Sequence, residues 1–428
     1  MNRRWHPRIG PTLRSFGSET KGAVALIFGL SLLPLALGAG VALDYARASN
    51  ARTQLLVAAD AAALAAVTPS AMSLPPGQAR ALALDAFNAR AAALRIPASV
   101  TPRVTVNEGG DQRTATVSFQ ADVETSLLRV AGRSTIRVAE DATASSNVPL
   151  YVDFHLLLDN TPSMGVAATP ADITKMVNST PDQCAFACHD LSREGKDYYA
   201  LAKSLDVKMR IDVVRMATQQ LMDTAARTAA VPGQFRAAVH TFGTSCTSLG
   251  VTTVSALTSN LAQVKTDAQA VDLMTIPYQN YNNDQCTDFD GTFSALDKII
   301  ANAGDGTGAN KPQKVLFFVS DGVADAAYPS TCSKPTTGGR CQEPIKVADC
   351  KALKDRGVTI AVLYTTYLPL PTNSRYNSWI APFASSIGPQ MEACASPGYY
   401  FEVSPSQGIS EAMQALFKKV VMSAKLSR

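Results

Sequence analysis

The longest apolar stretch of the chain, GAVALIFGLSLLPLALGAGVAL from Gly22 to Leu43, carries no charge. Wound as a helix with a rise of about 1.5 Å per residue it measures roughly 33 Å, against a bilayer core of about 30 Å. Pro34 lies inside it, and membrane helices tolerate such a residue. The run is longer than the apolar core of about 7–15 residues typical of a cleaved secretion signal, which predicts an uncleaved anchor. It passes without a break into DYARASNARTQLLVAADAAALAAV (44–67), where Leu55, Leu56, Ala59, Ala63 and Ala66 recur at helical spacing. That pattern predicts a stalk prolonging the membrane helix. Its alanines suit close helix packing, and equally they are simply good helix formers. Pro75-Pro76-Gly77 interrupts the pattern, and Gln78 to Leu94 resumes it.

Period-two alternation follows, at Val104 and Val106, then at Ala115, Val117, Phe119, Ala121 and Val123, then at Ile136 and Val138. Gly109-Gly110-Asp111 is a hairpin signal between the first two stretches, so a small antiparallel sheet is expected here. TASSNVP (143–149) reads as a linker. From Leu150 the pattern changes to strand alternating with helix. YVDFHLLLD, FRAAVHTF (235–242), VLFFVSDG (315–322), TIAVLYTTY (359–367) and YYFEVS (399–404) read as strands. Ile211, Val214, Ala217 and Leu221 mark one helix face, and Ile409, Met413, Leu416 and Val420 mark a closing one. Alternation of this kind predicts an α/β fold, a doubly wound and mostly parallel sheet with helices on both faces.

Composition narrows the class. The 428 residues are 46 % hydrophobic and 17 % charged, with a mean hydropathy of +0.03. Those values exclude a polytopic membrane protein and a mainly disordered chain. A net charge of +4 without a basic cluster or a nucleic-acid-binding motif argues against nucleic acid as a partner. Arg3, Arg4, Arg8, Arg14 and Lys21 precede the apolar run against one acid, Glu19. Positive charge on that side predicts a cytoplasmic N-terminus and export of everything beyond Asp44. The eight cysteines, at 184, 188, 246, 286, 332, 341, 350 and 394, all lie on the exported side. An even number there suggests disulfides in an oxidising compartment, and eight cysteines allow on the order of a hundred pairings. Cys184, Cys188 and His189 cluster, but without the spacing or the second pair that a structural zinc site uses.

Ligands of a doubly wound sheet sit beyond the carboxyl ends of its strands. Asp159-Asn160-Thr161-Pro162-Ser163 ends the first expected strand of the sheet, and Ser320-Asp321-Gly322 ends the third. Thr287-Asp288-Phe289 lies just ahead of the helical positions Phe293, Leu296 and Ile299. These loops would bring two carboxylates and three hydroxyls together, an all-oxygen set suited to a hard divalent cation. Mg²⁺ is the expected ion, with Mn²⁺ or Ca²⁺ as substitutes.

At these residues the chain resembles a von Willebrand factor A domain. The metal-ion-dependent adhesion site of that family, D-x-S-x-S with a distant Thr and a strand-end Asp, maps onto Asp159, Thr161, Ser163, Thr287 and Asp321. Thr161 stands where the family has Ser, which keeps the hydroxyl, and Thr292 is an alternative to Thr287. The run KGAVALIFGLSLLPLALGAGVALDYARASNARTQLLVAADAAALAA resembles the membrane segment of TadG-type Flp (Tad) pilus-assembly proteins, as do YTTYLPLPTN and ASPGYYFEVSPSQGISEAMQALF. The resemblance implies an inner-membrane protein with one span and an exported A domain. It also implies a protein partner in pilus assembly, bound through an acidic residue. Pilin-like relatives carry a Glu shortly inside the apolar run, and AVALIF has none, which argues against prepilin processing.

The organisation expected is a basic tail (1–21), a transmembrane helix (22–43), a helical stalk with a small α+β module (44–147) and an A-like domain with cysteine-bearing insertions (148–428). Enzyme chemistry is not expected. Of the four histidines, His6 is in the tail, His155 and His240 lie within strands, and His189 sits in a cysteine loop. Neither a G-x-S-x-G elbow nor a P-loop occurs. An envelope adhesin and, more remotely, a metal-dependent hydrolase are the alternative functions.

Overall fold

A computed structural model describes the chain except for residues 1–19, 95, 97, 110–111, 188, 279–280, 282–284, 328–331, 335–339, 367–375, 404–407 and 424–428. The basic residues from Arg3 to Arg14, Glu19, the turn residues Gly110-Asp111, Cys188 and most of YTTYLPLPTN lie outside the described residues. The chain divides into two compact units, residues 1–147 and 148–428.

In the first unit, helix α1 (Thr20–Ala65) runs unbroken through Pro34. From Val24 to Ala39 its side chains are exposed, apart from the partly covered Ser31, and Leu33 and Leu35 reach 69 % and 70 %. Burial begins at Gly40 and recurs at Asp44, Ala48, Ala51, Leu55, Ala59, Ala62, Ala63 and Ala66. That three-to-four-residue spacing is one helix face. Small side chains on it let α2 (Pro76–Ala93) and the sheet approach closely.

The sheet is the antiparallel meander β1 (Ala98–Gly109), β2 (Gln112–Glu124) and β3 (Thr135–Asn147). The central β2 alternates as its sequence predicts, burying Ala115, Val117, Phe119, Ala121 and Val123, with Phe119 stacked on Phe87 of α2. At the same face Arg113 is buried, and its guanidinium donates to the carbonyls of Ala71 (2.6 Å) and Leu74 (2.7 Å) and to Glu108. The reading of 143–149 as a linker is corrected here. Residues 143–147 complete β3 in register with β2, and the Thr143 and Ser145 hydroxyls bond those of Thr116 and Thr114. Polar content there reflects a solvated strand face.

The second unit is a sheet of β4 (Val152–Leu158), β5 (His189–Asp190), β6 (Phe235–Ser245), β7 (Ser248–Thr258), β8 (Thr275–Ile276), β9 (Gln313–Ser320), β12 (Thr359–Thr365) and β13 (Tyr400–Val403), with β10 (Val323–Ala327) and β11 (Arg340–Pro344) as a separate hairpin. The order is β13-β12-β9-β4-β6-β8-β5, all parallel, with β7 antiparallel beside β6. The expected doubly wound, mostly parallel α/β fold is the one observed. β4 and β9 are central, and their apolar runs are buried on both faces. Phe154, Leu156, Leu158, Val315, Phe317 and Val319 meet α3 (Arg210–Thr228) and the closing helix α7 (Ile409–Ser423). On the other face Leu157, Leu316, Phe318, Ile360 and Val362 meet α4 (Phe289–Ile299), α5 (Val347–Asp355) and α6 (Ala384–Cys394).

The long insertions are partly structured. The first holds the helices Pro170–Ser179 and Tyr198–Ser204 with β5, and the second contributes β10 and β11. Disulfides join Cys246 to Cys286, Cys332 to Cys341 and Cys350 to Cys394. The last of these links α5 to α6 within the core rather than bracing a loop. Cys184 stands outside the three bridges.

Inside the sheet, His155 of β4 and His240 of β6 lie side by side, with Nδ1 of His155 3.3 Å from Nε2 of His240, and the other His240 nitrogen 3.1 Å from the Thr253 hydroxyl. Asp153, paired with Arg236 and Lys314, lies one turn of the pleat away. Burial first, then mutual repulsion, pushes His155 down to about 3, and burial pushes His240 down to about 4. Unfolded histidine protonates near about 6.5. The unfolded chain therefore binds more protons between these limits, so stability present above about 6.5 is lost progressively as the pH falls through about 4. Thermal unfolding of the full chain in detergent should show that loss, and His155→Phe with His240→Phe should flatten it. An equally steep acid slope in the double variant would assign the effect elsewhere.

Candidate metal-ion site

Parallel pairing sets Leu158 of β4 beside Val319 of β9, so the next residues on each strand, Asp159 and Ser320, emerge together at the carboxyl edge. The Asp159 amide still donates to the Val319 carbonyl at 2.9 Å, which carries the ladder one residue past the strand. Asp159 is wholly buried, and its carboxylate is held at both oxygens. Oδ1 accepts from the Thr161 amide (3.0 Å) and hydroxyl (2.7 Å), and Oδ2 accepts from the Ser320 hydroxyl (2.6 Å).

Asn160 fixes the loop against the neighbouring strand. Its amide donates to the Gly243 carbonyl (2.8 Å), while its side-chain oxygen accepts from the Phe242 amide (3.1 Å). Thr161 then precedes a short 3₁₀ turn, Pro162–Gly165, with its hydroxyl 3.3 Å from that of Ser163. Proline at the first position of that turn supplies the φ the helix needs.

Asp321 follows Ser320 and is also wholly buried. The chain turns sharply after it at Gly322, whose φ is +75° and whose amide donates to the Ser320 hydroxyl at 3.0 Å. A side chain at Gly322 would collide with Ile387 and Met391 of α6 at 2.9 and 2.8 Å. Glycine there lets the acidic loop fold back over the helix. The Asp321 Oδ1 accepts weakly from the Val323 amide (3.3 Å), whereas Oδ2 accepts no hydrogen bond among the described residues. A guanidinium nitrogen of Arg210 lies 3.7 Å from Oδ2, and Arg210 is itself 1 % exposed, at the first turn of α3.

Burial first, and then the neighbouring Asp159, push the Asp321 carboxyl up to about 7, while Arg210 and the Ser163 hydroxyl favour its ionised form. Asp159 is shifted upward as well, by burial, against the bonds from Ser320 and Thr161. Two buried carboxylates with one guanidinium near them leave negative charge only partly offset, in a medium where charge is costly.

Asp159, Thr161, Ser163 and Asp321 thus share one site. Thr287 is placed differently. Its backbone forms an isolated bridge with Asp325 of β10, donating at 2.9 Å and accepting at 3.0 Å, four residues beyond Asp321. Among the described residues no hydrogen bond joins the Thr287 or Thr292 side chain to the carboxylate pair. Thr292 lies wholly buried in α4, with a hydroxyl that has no hydrogen-bond partner among the described residues. Two members of the site were missing from the sequence-derived set. Ser320 is adjacent to Asp321 and was legible as a hydroxyl at a strand end. Arg210 lies beyond the long insertion, and nothing in the local sequence signals that it turns inward.

The donors fit a hard divalent cation. All are oxygens, both carboxylates are buried, and an Asp321 oxygen is left without a hydrogen-bond donor among the described residues.

Residues 22–79 match the family described as "Putative Flp pilus-assembly TadE/G-like". The match covers α1 from Gly22 onward and reaches the first turn of α2, and the sequence resemblance drawn from the same residues agrees with it. None of the curated proteins compared matches the chain. Among solved structures, the von Willebrand factor domain of the type V pili tip protein Mfa5 from Porphyromonas gingivalis is 12 % identical, with a TM-score of 0.36, covering 65 % of this chain and 97 % of that one. The PilB minor pilin from Streptococcus sanguinis is 10 % identical, with a TM-score of 0.35, covering 77 % and 78 %. The ArnB paralog VWA2 from Sulfolobus acidocaldarius is 13 % identical, with a TM-score of 0.28, covering 74 % and 54 %. At these scores the architecture stands on the strand order of the chain itself.

Removing the guanidinium while both carboxylates stay buried should cost about 3–5 kcal/mol, the usual effect of stripping one partner from a buried ion pair. Arg210→Met should therefore lower the unfolding midpoint of the full chain, and adding Asp321→Asn should restore part of the loss. Two independent, additive losses would show that Arg210 and Asp321 are not energetically coupled.

Proposed function

We propose that this chain is a membrane-anchored binding protein of a Tad-type pilus, acting in assembly or anchoring, whose second unit recognises a protein partner at the Asp159–Asp321 site. The observation that carries the reading is the convergence of two wholly buried carboxylates with the Thr161, Ser163 and Ser320 hydroxyls at one strand edge. Asp159 and Asp321 would hold Mg²⁺, with Mn²⁺ or Ca²⁺ as substitutes, and Thr161 and Ser163 would supply neutral oxygens. A hard cation bound with so few direct carboxylates keeps an open position for an acidic side chain of a partner. Thr287, or Thr292 in its place, would be the distant hydroxyl.

The chain's own residues do the positioning. Ser320 and Thr161 fix the Asp159 oxygens, Gly322 allows the Asp321 loop to close, and Asn160 pins the first loop to β6. The pilus context rests on the match at residues 22–79. The placement proposed is a single span in the inner membrane with the second unit in the periplasm. The basic residues ahead of the apolar run and the disulfides beyond it support this. The role proposed is binding, since the site pairs its carboxylates with the Thr161 and Ser320 hydroxyls.

Calorimetric titration of Mg²⁺ and Mn²⁺ into the detergent-solubilised, oxidised chain should give saturable binding that Asp159→Ala abolishes. Absence of saturable binding in the parent chain would remove the metal from the mechanism. Deletion of the gene should abolish surface pili, whereas intact pili with lost attachment would instead assign the protein to adhesion.

A further inference from the structure

The apolar helix acquires its folded cover before its apolar run ends. Side chains from Val24 to Ala39 are exposed apart from the partly covered Ser31, yet Gly40 and Asp44 are buried. What covers them is the turn between β2 and β3. Leu127 sits directly on Gly40, where a Cβ would meet the Leu127 Cβ at 2.7 Å. Asp44, the first charged residue after the run, accepts three backbone hydrogen bonds from the same turn, from Ser126 (3.0 Å), Leu127 (2.8 Å) and Leu128 (2.8 Å). Arg47 adds a bond to the Ser126 hydroxyl at 2.8 Å. The turn is therefore fixed in height along the helix. Leu127 lies beside the last helical turn of the apolar run, about 6 Å inside Asp44.

This pinned turn presents apolar side chains outward. Val130 is 80 % exposed and Leu127 is 43 % exposed, with Arg129 and Arg133 exposed beside them. Gly132, at φ +84°, closes the short 3₁₀ segment Leu128–Ala131 that holds Val130 out. Single exposed apolar residues are ordinary on a protein surface. These two are set apart by their height. From Gly22 to Ala39 the helix rises about 27 Å, so a hydrocarbon core of about 30 Å that begins at Gly22 ends at the level of Gly40 to Leu43.

We propose that the turn Leu127–Arg133 is a membrane-surface contact, with Leu127 and Val130 entering the boundary between headgroups and acyl chains and Arg129 and Arg133 meeting lipid phosphates. The proposal rests on the reading that the 22–43 run spans the bilayer. The bilayer is the occupant because the patch continues the exposed apolar surface of α1 at the depth where that surface leaves the hydrocarbon. Apolar side chains flanked by arginines are the composition that binds such a boundary. The exposed ion pair of Arg129 with Glu124, at 3.6 Å, is of the weak kind that yields to a phosphate.

The test is tryptophan quenching in the full chain, reconstituted into mixed phosphatidylcholine–phosphatidylglycerol vesicles with brominated acyl chains. The parent, with Trp5 and Trp379, supplies the background. Emission added by Val130→Trp should be largely lost in brominated vesicles, as should that added by Leu35→Trp within the span. Arg129→Glu with Arg133→Glu should restore emission at position 130 and leave position 35 quenched. Quenching at 35 with full emission at 130 overturns the surface contact while keeping the anchor. Quenching at neither position overturns the anchor, and the contact with it.

Discussion

Two carboxylates kept from water at the ends of adjacent strands constrain much else in the second unit. Parallel pairing of β4 with β9 places Asp159 and Ser320 side by side, and Asp321 follows one residue later. A charge in that position is tolerated only if its surroundings are arranged for it. The hydroxyls of Thr161 and Ser320, the turn at Gly322 and the inward Arg210 are those arrangements. They come from three separate segments, the loops after β4 and β9 and the first turn of α3, so the site samples the correct folding of distant parts of the sheet. The last apolar residues of the two strands, Leu156 to Leu158 and Val315 to Val319, give way at once to Asp159 and Ser320.

The first unit solves a different problem with a similar economy of contacts. Its helix must be apolar all round in one half and half-buried against a sheet in the other. The change is made by composition, from large aliphatic residues before Gly40 to alanines after it. Alanine gives up burial area per residue but allows the backbone of the helix to lie close to the sheet, where larger side chains from β2 and α2, such as Phe119 and Phe87, fill the space.

Much of this was legible in the sequence because the periods were unmixed. The run ending at Asp159 and that ending at Ser320 have the length and composition of buried strands, and the alternation in β2 is uninterrupted. The nearness of Asp159, Thr161, Ser163 and Asp321 followed from the same reading, whereas Thr287 bridges Asp325 instead. What stayed hidden depended on non-local contacts. Arg210 looks like any basic residue opening a helix, and only the three-dimensional path of the insertion turns it toward Asp321. The 143–147 segment looked like a linker because serine and threonine favour loops, whereas cross-strand hydroxyl pairs decide its conformation. The cysteines announced disulfides, but their partners depended on which helices pack together, as Cys350 and Cys394 show.

The continuity of α1 has a mechanical meaning. A helix without a break is stiff over its length, and the turn at Ser126 to Leu128, bonded to Asp44, ties it to the sheet. Tilt or rotation of its apolar half is therefore transmitted to the three-stranded sheet as to the arm of a lever, with little lost in bending. A load applied to that sheet would reach the apolar half as torque, without first having to take up slack in a tether.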